Sequence, residues 1–339
     1  MTDTTPLISV CIANYNGMAV IDNCLNSVLG QEGRIPIEIL IHDDASSDES
    51  VAYIRSRYPD VRLIESTENV GFCVANNRMA AKAKGKYLLL LNNDAALYPD
   101  ALQTLLDEAA RLDRPAILGL PQYDAESGEL IDIGSLLDPF LNPVPNLSPN
   151  RSDVGMVIGA CLLIPTNLWR ELGGFPEWFN SIGEDLYLCC RARLAGYPVR
   201  ATGISGYRHQ IGASFGGGKV REGGLTSTFR RRALSERNKT FVMTICYPAT
   251  ILVWLLPLHL ALIHLEGLLL ILIKGDRTVW YRIYAPLLPA LWLQRHNLLT
   301  LRRCAQSQRG VSLRAWLAPF CWIPWKFKLL IRHGWPTLS

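Results

Sequence analysis

Four times in the first third of the chain, a short, largely apolar run is followed by a stretch with helical spacing. LISVCIA precedes MAVIDNCLNSVLG, IEILIHD precedes a polar helix through Tyr58, VRLIE precedes FCVANNRMAAKAKG, and YLLLLNND precedes a helix from Pro99. Runs that are largely apolar without alternation fit strands covered on both faces. The βαβα alternation supplies that cover, so an α/β fold with a doubly wound, mostly parallel sheet is predicted. Ligands of such sheets bind beyond the carboxyl ends of the strands. Two acidic loops fall there: the one from His42 to Asp48 after IEILI, and Asn92, Asn93 and Asp94 after YLLLL.

From about Gln122 to Asp153 the sequence is rich in Pro, Asn, Ser and Asp, which predicts a long excursion on the surface. Order resumes at VGMVIGACLLIP. A helix is predicted from near Gly183 to near Gly196, with Glu184 and Asp185 in its first turn, where carboxylates suit the positive end of the helix dipole. The glycine-rich stretch from Tyr207 to Lys219 departs from a phosphate loop, because Ala213 stands at the first glycine position and Val220 follows the lysine. It reads as a mobile loop over the site.

The charge is split. Residues 274–339 carry eleven Lys or Arg against Asp276 alone, a local +10; the overall +4 therefore leaves −6 for residues 1–273. A mildly acidic body with a basic, tryptophan-bearing tail speaks against a nucleic-acid reader and for attachment to an anionic membrane. Residues 249–273, ATILVWLLPLHLALIHLEGLLLILI, approach the length of a membrane span, but Pro257, His259, His264, Glu266 and Gly267 interrupt the run, and basic clusters flank both ends. A broken hairpin or interfacial segment, a true span, and a buried helical subdomain all remain open. The nine cysteines form no C-x-x-C pair, which points to a reduced compartment and away from structural zinc. No secretory signal is expected in the opening residues.

VCIANYN, HDDASSD, ENVGFCVANN, LLLLNNDA, GEDLYLCCRARLAGY and RHQIGASFG occur here in the order and spacing of family 2 glycosyltransferase motifs. Over roughly residues 7–240 the chain resembles these inverting GT-A enzymes, and most of all the bacterial rhamnosyltransferase-type members with an apolar C-terminal extension. The resemblance implies a GT-A domain over residues 1–240, with a Rossmann-like nucleotide-binding half, and a helical membrane-associating region over 241–339.

A departing nucleoside diphosphate develops charge that a divalent cation, Mn²⁺ or Mg²⁺, stabilises. Asp94 is the candidate ligand; Asn92 stands where the family's Asp-x-Asp has its first acid, and His209 resembles the late histidine ligand of many GT-A chains. The acceptor hydroxyl needs a base. Asp185 matches the family's base position, with Glu184 beside it to orient loops or bind sugar. Asn14, Asp44, Asn77 and Asn93 are implied for the nucleotide, although Met79 stands where glycine is common. Asp48 is expected to cap the following helix. Gly159 and Ala160 leave room for a sugar ring or serve strand packing. Arg237 and Asn238 resemble an R-N pair near the lipid acceptor.

The expected function is inverting transfer of a sugar, with rhamnose the first candidate, from a dTDP- or UDP-sugar to a polyprenyl-diphosphate-linked saccharide at the cytoplasmic face of a bacterial inner membrane, in surface polysaccharide synthesis. The alternative is a non-catalytic nucleotide-sugar-binding scaffold.

Overall fold

The computed structural model describes residues 5–210, 217–221, 224–335 and 337–338. The chain forms two compact units. The first is built from Met1–Ser135, Pro145–Ala192 and Tyr197–Gln210, the second from Leu136–Val144, Arg193–Gly196 and Ile211–Ser339.

In the first unit the expected alternation is found: β1 (Ile8–Asn14), α1 (Ile21–Leu29), β2 (Ile37–Asp43), α2 (Ser50–Arg57), β3 (Arg62–Glu65), α3 (Phe72–Lys82), β4 (Tyr87–Asn92), a short β5 (Ala95–Leu97) and α4 (Ala101–Ala110). Further along the chain come β6 (Ile117–Gly119), β7 (Gln122–Asp124), β8 (Leu130–Asp132), β9 (Ser135–Leu137), β10 (Pro143–Pro145), β11 (Cys161–Pro165), α5 (Thr166–Leu172), α6 (Glu184–Ala195), β12 (Val199–Ala201) and β13 (Tyr207–His209), with Leu136–Val144 and Arg193–Gly196 belonging to the second unit. The main sheet has the order β12-β6-β11-β4-β1-β2-β3. Only β11 runs against its neighbours β4 and β6, so the sheet is mostly parallel, as predicted.

Residues Ile8, Ser9, Val10, Cys11 and Ile12 are all fully buried, whichever face they point to. That is why the run is apolar without alternation. Ile21, Leu25 and Val28 of α1 and Leu102 and Leu105 of α4 share one core with Ile8, Val10, Ile12, Leu89 and Leu91. Each such side chain contributes roughly 1.5–3 kcal/mol through burial. In β1 the register pairs Asn14 with Asp43 of β2 and Ala13 with Asn92 of β4, so both acidic loops emerge at the same end of the sheet.

The segment from Gln122 to Asp153 is no surface excursion. It holds four strands, and Ile133, Leu136, Leu137 and Leu141 are buried. Its polar residues are internal hydrogen-bond partners. Asp132 accepts from the Asn146 amide at 2.8 Å and the Ser135 hydroxyl at 2.5 Å, while Asn146 donates to the carbonyls of Ile133 and Arg151. Asp138, fully buried, accepts from the amides of Phe140, Asn142 and Trp325. Side chains that satisfy backbone groups allow a turn-rich segment to be buried, and a composition-based reading does not distinguish that use from solvation.

The second unit contains α7 (Phe229–Cys246), α8 (Ala249–Lys274), a π-turn at Trp280–Tyr284, α9 (Leu287–Leu293), α10 (Arg295–Ser307), α11 (Leu313–Trp316) and α12 (Trp325–His333). Ile263, Leu270, Val279, Ile283, Tyr284 and Leu287 form its small core. The broken hairpin is not found, because α8 runs unbroken through Pro257 to Gly275, whose φ of +68° ends it. By length and composition α8 is long and apolar enough to cross a membrane.

Candidate active site

At the carboxyl end of β4 the chain turns through Asn93 and Asp94 into β5, and β13 pairs with β5 so that His209 lies opposite Ala95. This pairing brings His209 beside Asp94. The His209 Nε2 is 3.0 Å from Asp94 Oδ1 and 3.3 Å from Asn92 Nδ2. Yet Asp94 Oδ1 is buried with no hydrogen-bond partner among the described residues, so the contact is close without being aligned for a hydrogen bond. An orphaned carboxylate oxygen next to an imidazole nitrogen fits a hard divalent cation. Two ligands bound at about 2.1 Å and at right angles stand about 3 Å apart, and such ions take their remaining ligands from water and phosphates. No cluster of three or more His, Cys, Asp or Glu occurs among the described residues.

A second layer stands behind the histidine. β13 also pairs with β7, with Tyr207 opposite Gln122. Gln122 Nε2 is 3.1 Å from His209 Nδ1, and Gln122 Oε1 accepts from the Tyr207 hydroxyl at 3.1 Å. The imidazole is thus held from behind by an amide that is itself held. Sequence reading missed Gln122 and Tyr207; the alternation that puts Tyr207 and His209 on one face of β13 was the available signal.

The candidate base lies in the first turn of α6. Asp185 Oδ2 accepts from the Gly159 amide at 3.1 Å. A methyl group added at Gly159 would meet Asp185 at ordinary contact distance, so the glycine is not forced by crowding. Glu184 is buried, and its Oε2 has no hydrogen-bond partner. Burial, reinforced by the charge of Asp185, pushes the Glu184 carboxyl well above the usual range. Of two adjacent carboxyls, Glu184 is thus the one whose charged form burial disfavours. The buried Tyr207 feels both ends of the site: burial first, then Cys161, Asp132, Asp185 and Asp94, push its hydroxyl well above the usual phenol range.

The residues implied for the nucleotide form a bonded array at the ends of β1, β2 and β4. Asn93 donates to Asn14 Oδ1 at 2.9 Å, and Asn14 donates to Asp43 at 2.9 Å and Ser50 at 3.0 Å. Gly17 makes this possible, since a Cβ there would lie 2.0 Å from Asn14 Oδ1 and 2.4 Å from Asn93 Nδ2. Asp44 accepts from the amides of Val70 and Gly71, at 2.7 and 2.9 Å, and so shapes the turn into α3, where Gly71 has a φ of +87°. Asn77 clips a different segment, donating to the Phe175 carbonyl at 2.9 Å and accepting from its amide at 3.0 Å. Asp48 accepts from the amide of Ser50, the first residue of α2, and from that of Met18.

In the second unit Asn238 is fully buried and Arg237 half-buried, with the guanidinium bonded to Asn238 Oδ1 at 2.9 Å and lying over the Phe241 ring. Of the glycine-rich stretch, residues 211–216 lie outside the described residues, as do 222–223. A cavity of about 650 Å³ opens at the other end of β4, beside Tyr87, with Lys84, Lys86, Arg114 and Arg170 around it. It has no part in this site.

Residues 87–337, more than half of the chain, match the family model Glycosyl transferase family group 2, and residues 9–151 match Glycosyl transferase family 2. The chain belongs to the family 2 glycosyltransferases. This glycosyltransferase is 28% identical over 227 residues to N-acetylglucosaminyl-diphospho-decaprenol L-rhamnosyltransferase of Mycobacterium tuberculosis, over 58% of this chain and 73% of that protein. Its fold is similar to that of GalNAc-T7, crystallised with UDP, GalNAc and Mn²⁺, with a TM-score of 0.55 at 17% identity over 72% of this chain and 48% of that one. It is also similar to S. aureus TarS in complex with UDP, with a TM-score of 0.52 at 16% identity over 91% of this chain and 93% of that one. The glycosyltransferase thus has the expected GT-A architecture, with a C-terminal helical region containing one strongly apolar helix.

Proposed function

We propose that this glycosyltransferase moves a sugar, with inversion, from a nucleoside-diphosphate donor to a polyprenyl-diphosphate-linked saccharide. The first candidate donor is dTDP-rhamnose and the second a UDP-sugar; the mycobacterial relative, named for rhamnosyl transfer to a decaprenyl-diphosphate acceptor, supports this choice. The observation that carries the reading is the orphaned Asp94 Oδ1 at 3.0 Å from His209 Nε2. Asp94 and His209 would hold Mn²⁺ or Mg²⁺, which when bound neutralises charge developing on the diphosphate.

The chain's own residues do the rest. Asp185 takes the proton of the acceptor hydroxyl as its oxygen bonds to the anomeric carbon, and the bond from that carbon to the diphosphate breaks. Burial of Glu184 disfavours a second charge beside the base. Asn14 and Asn93 set the floor of the nucleotide site, Asp44 fixes the turn into α3 against it, and Asn77 acts through the Phe175 segment. In this reading residues 1–240 are catalytic, and residues 241–339 hold the enzyme at the cytoplasmic face of a bacterial inner membrane, with Arg237, held by the buried Asn238, toward the lipid acceptor. The role is in surface polysaccharide synthesis.

The test is release of nucleoside diphosphate from a panel of nucleotide sugars, with and without Mn²⁺, in the presence of a bacterial lipid extract. Metal-dependent release from one donor, raised by the extract, is expected. Binding of the nucleotide without turnover on any donor or extract would overturn the proposal in favour of a scaffold.

A further inference from the structure

α8 is two-sided in a way that its composition hides. At 100° per residue, Trp254, Leu258, Leu265 and Leu272 fall within roughly 40° of one another, and all four are exposed, Trp254 by 78% and Leu272 by 80%. His259, Ile263, Glu266 and Leu270 lie on the opposite side and pack inward. On that inner side Glu266 accepts from Lys326 of α12 at 2.8 Å and pairs with Arg232 of α7. Glu236 of α7 completes the cluster, 2.6 Å from Lys326, 2.8 Å from Lys239 and 3.2 Å from Arg232.

The partners of α8 are unsuited to a bilayer. α7 carries six charged residues in eighteen. α12 has nine residues, about 14 Å of helix, less than half the hydrocarbon thickness. If α8 crossed, these charge-bearing helices would follow it into lipid or leave Glu266 without partners, and a charge at the centre of a bilayer is costly. A helix lying along the surface meets neither cost. Its outer face enters the acyl boundary while its inner face stays on α7 and α12.

We propose that α8 lies in the plane of an anionic lipid surface, outer face down, and does not cross the bilayer. This deepens the membrane placement proposed above and is independent of the sugar-transfer chemistry. The occupant is lipid, because residues 274–339, which follow α8 directly, carry a net +10, and because Trp292 and Trp322 are each 68% exposed beside that charge in sequence. Trp and basic residues together suit the headgroup level.

The test uses the full chain with Cys304→Ser and Cys321→Ser, since the other seven cysteines are buried. Spin labels are placed one at a time at Trp254→Cys, Leu265→Cys and Leu272→Cys, and depth is read from oxygen against nickel-chelate accessibility on phosphatidylglycerol vesicles. The outer two positions are about 27 Å apart along the axis, close to the thickness of the hydrocarbon layer. Three equal, shallow depths are expected. A deep Leu265 label flanked by two shallow ones would show a span and overturn the proposal. Labels that stay water-accessible with vesicles present, or become protected without them, would also overturn it, the latter in favour of a second copy or another protein. Partition into phosphatidylglycerol vesicles is expected to exceed that into phosphatidylcholine by about tenfold or more; equal partition would remove the anionic requirement. Nucleoside-diphosphate release with a water-soluble acceptor separates this outcome from failure of the transferase reading.

Discussion

The Nε2 of His209 stands 3.0 Å from Oδ1 of Asp94, an oxygen that no hydrogen-bond donor satisfies among the described residues. A buried charge left this way is costly unless another positive centre completes it. Asp94→Ala and His209→Ala are each expected to weaken Mn²⁺ binding, measured by calorimetry in the presence of nucleoside diphosphate, by about 10- to 100-fold or more. Asp94→Ala should also abolish turnover. Near-native Mn²⁺ affinity in both variants would place the metal elsewhere.

Gln122 stands between the Tyr207 hydroxyl and the far nitrogen of His209. As a positioning residue it is expected to act on the metal and not on the sugar. Gln122→Leu, which removes the amide facing the far ring nitrogen, should lower Mn²⁺ affinity about tenfold. A loss of thermal stability with unchanged Mn²⁺ affinity would leave Gln122 a packing role only.

The two acids of α6 are expected to respond differently. Asp185→Asn removes the proton acceptor and should lower kcat by about 10²- to 10⁴-fold while nucleotide binding persists. Glu184→Gln resembles the protonated form that burial and Asp185 favour, so most turnover should remain. Steady-state kinetics on both variants checks this; a dead Glu184→Gln would reverse the assignment.

Burial raises the Asp132 carboxyl from its ordinary 3.8 to about 6, against the hydrogen bonds from Ser135 and Asn146. Between these values the folded chain holds a proton that the unfolded chain has released. Stability from this group is therefore present below about pH 4, falls as pH rises to about 6, and amounts to about 3 kcal/mol at roughly 1.4 kcal/mol per unit. Urea unfolding across that window should show the slope, and Asp132→Asn should flatten it.

Asn77 makes two hydrogen bonds to the backbone of Phe175, and a Cβ on neighbouring Gly174, at φ +64°, would lie 2.8 Å from its Oδ1. Asn77→Ala leaves a part-buried amide and carbonyl without their partner and should cost about 2 kcal/mol. Gly174→Ala should destabilise as well, and thermal melts of both variants report it.

The sequence alone determined the mostly parallel sheet, because a strand covered on both faces is largely apolar without alternation, as Ile8 to Ile12 are with Ser9 the one polar residue, and that is visible without coordinates. It also located Asp94 and Asp185, since residues at strand ends and in the first turn of a helix are marked by local pattern. Long-range pairing is what it lacked. The registers of β13 with β5 and β7 place His209 on Asp94 and Gln122 behind it, and no local signal encodes a register between strands so distant in the chain. The polar letters from Gln122 to Asp153 read as solvated because composition cannot tell whether Asp132, Asp138 and Asn146 bond water or the backbone. In α8 hydropathy gave the length and the apolar character, and only packing revealed which side Glu266 turns inward, because the ion cluster that holds it draws on α7 and α12.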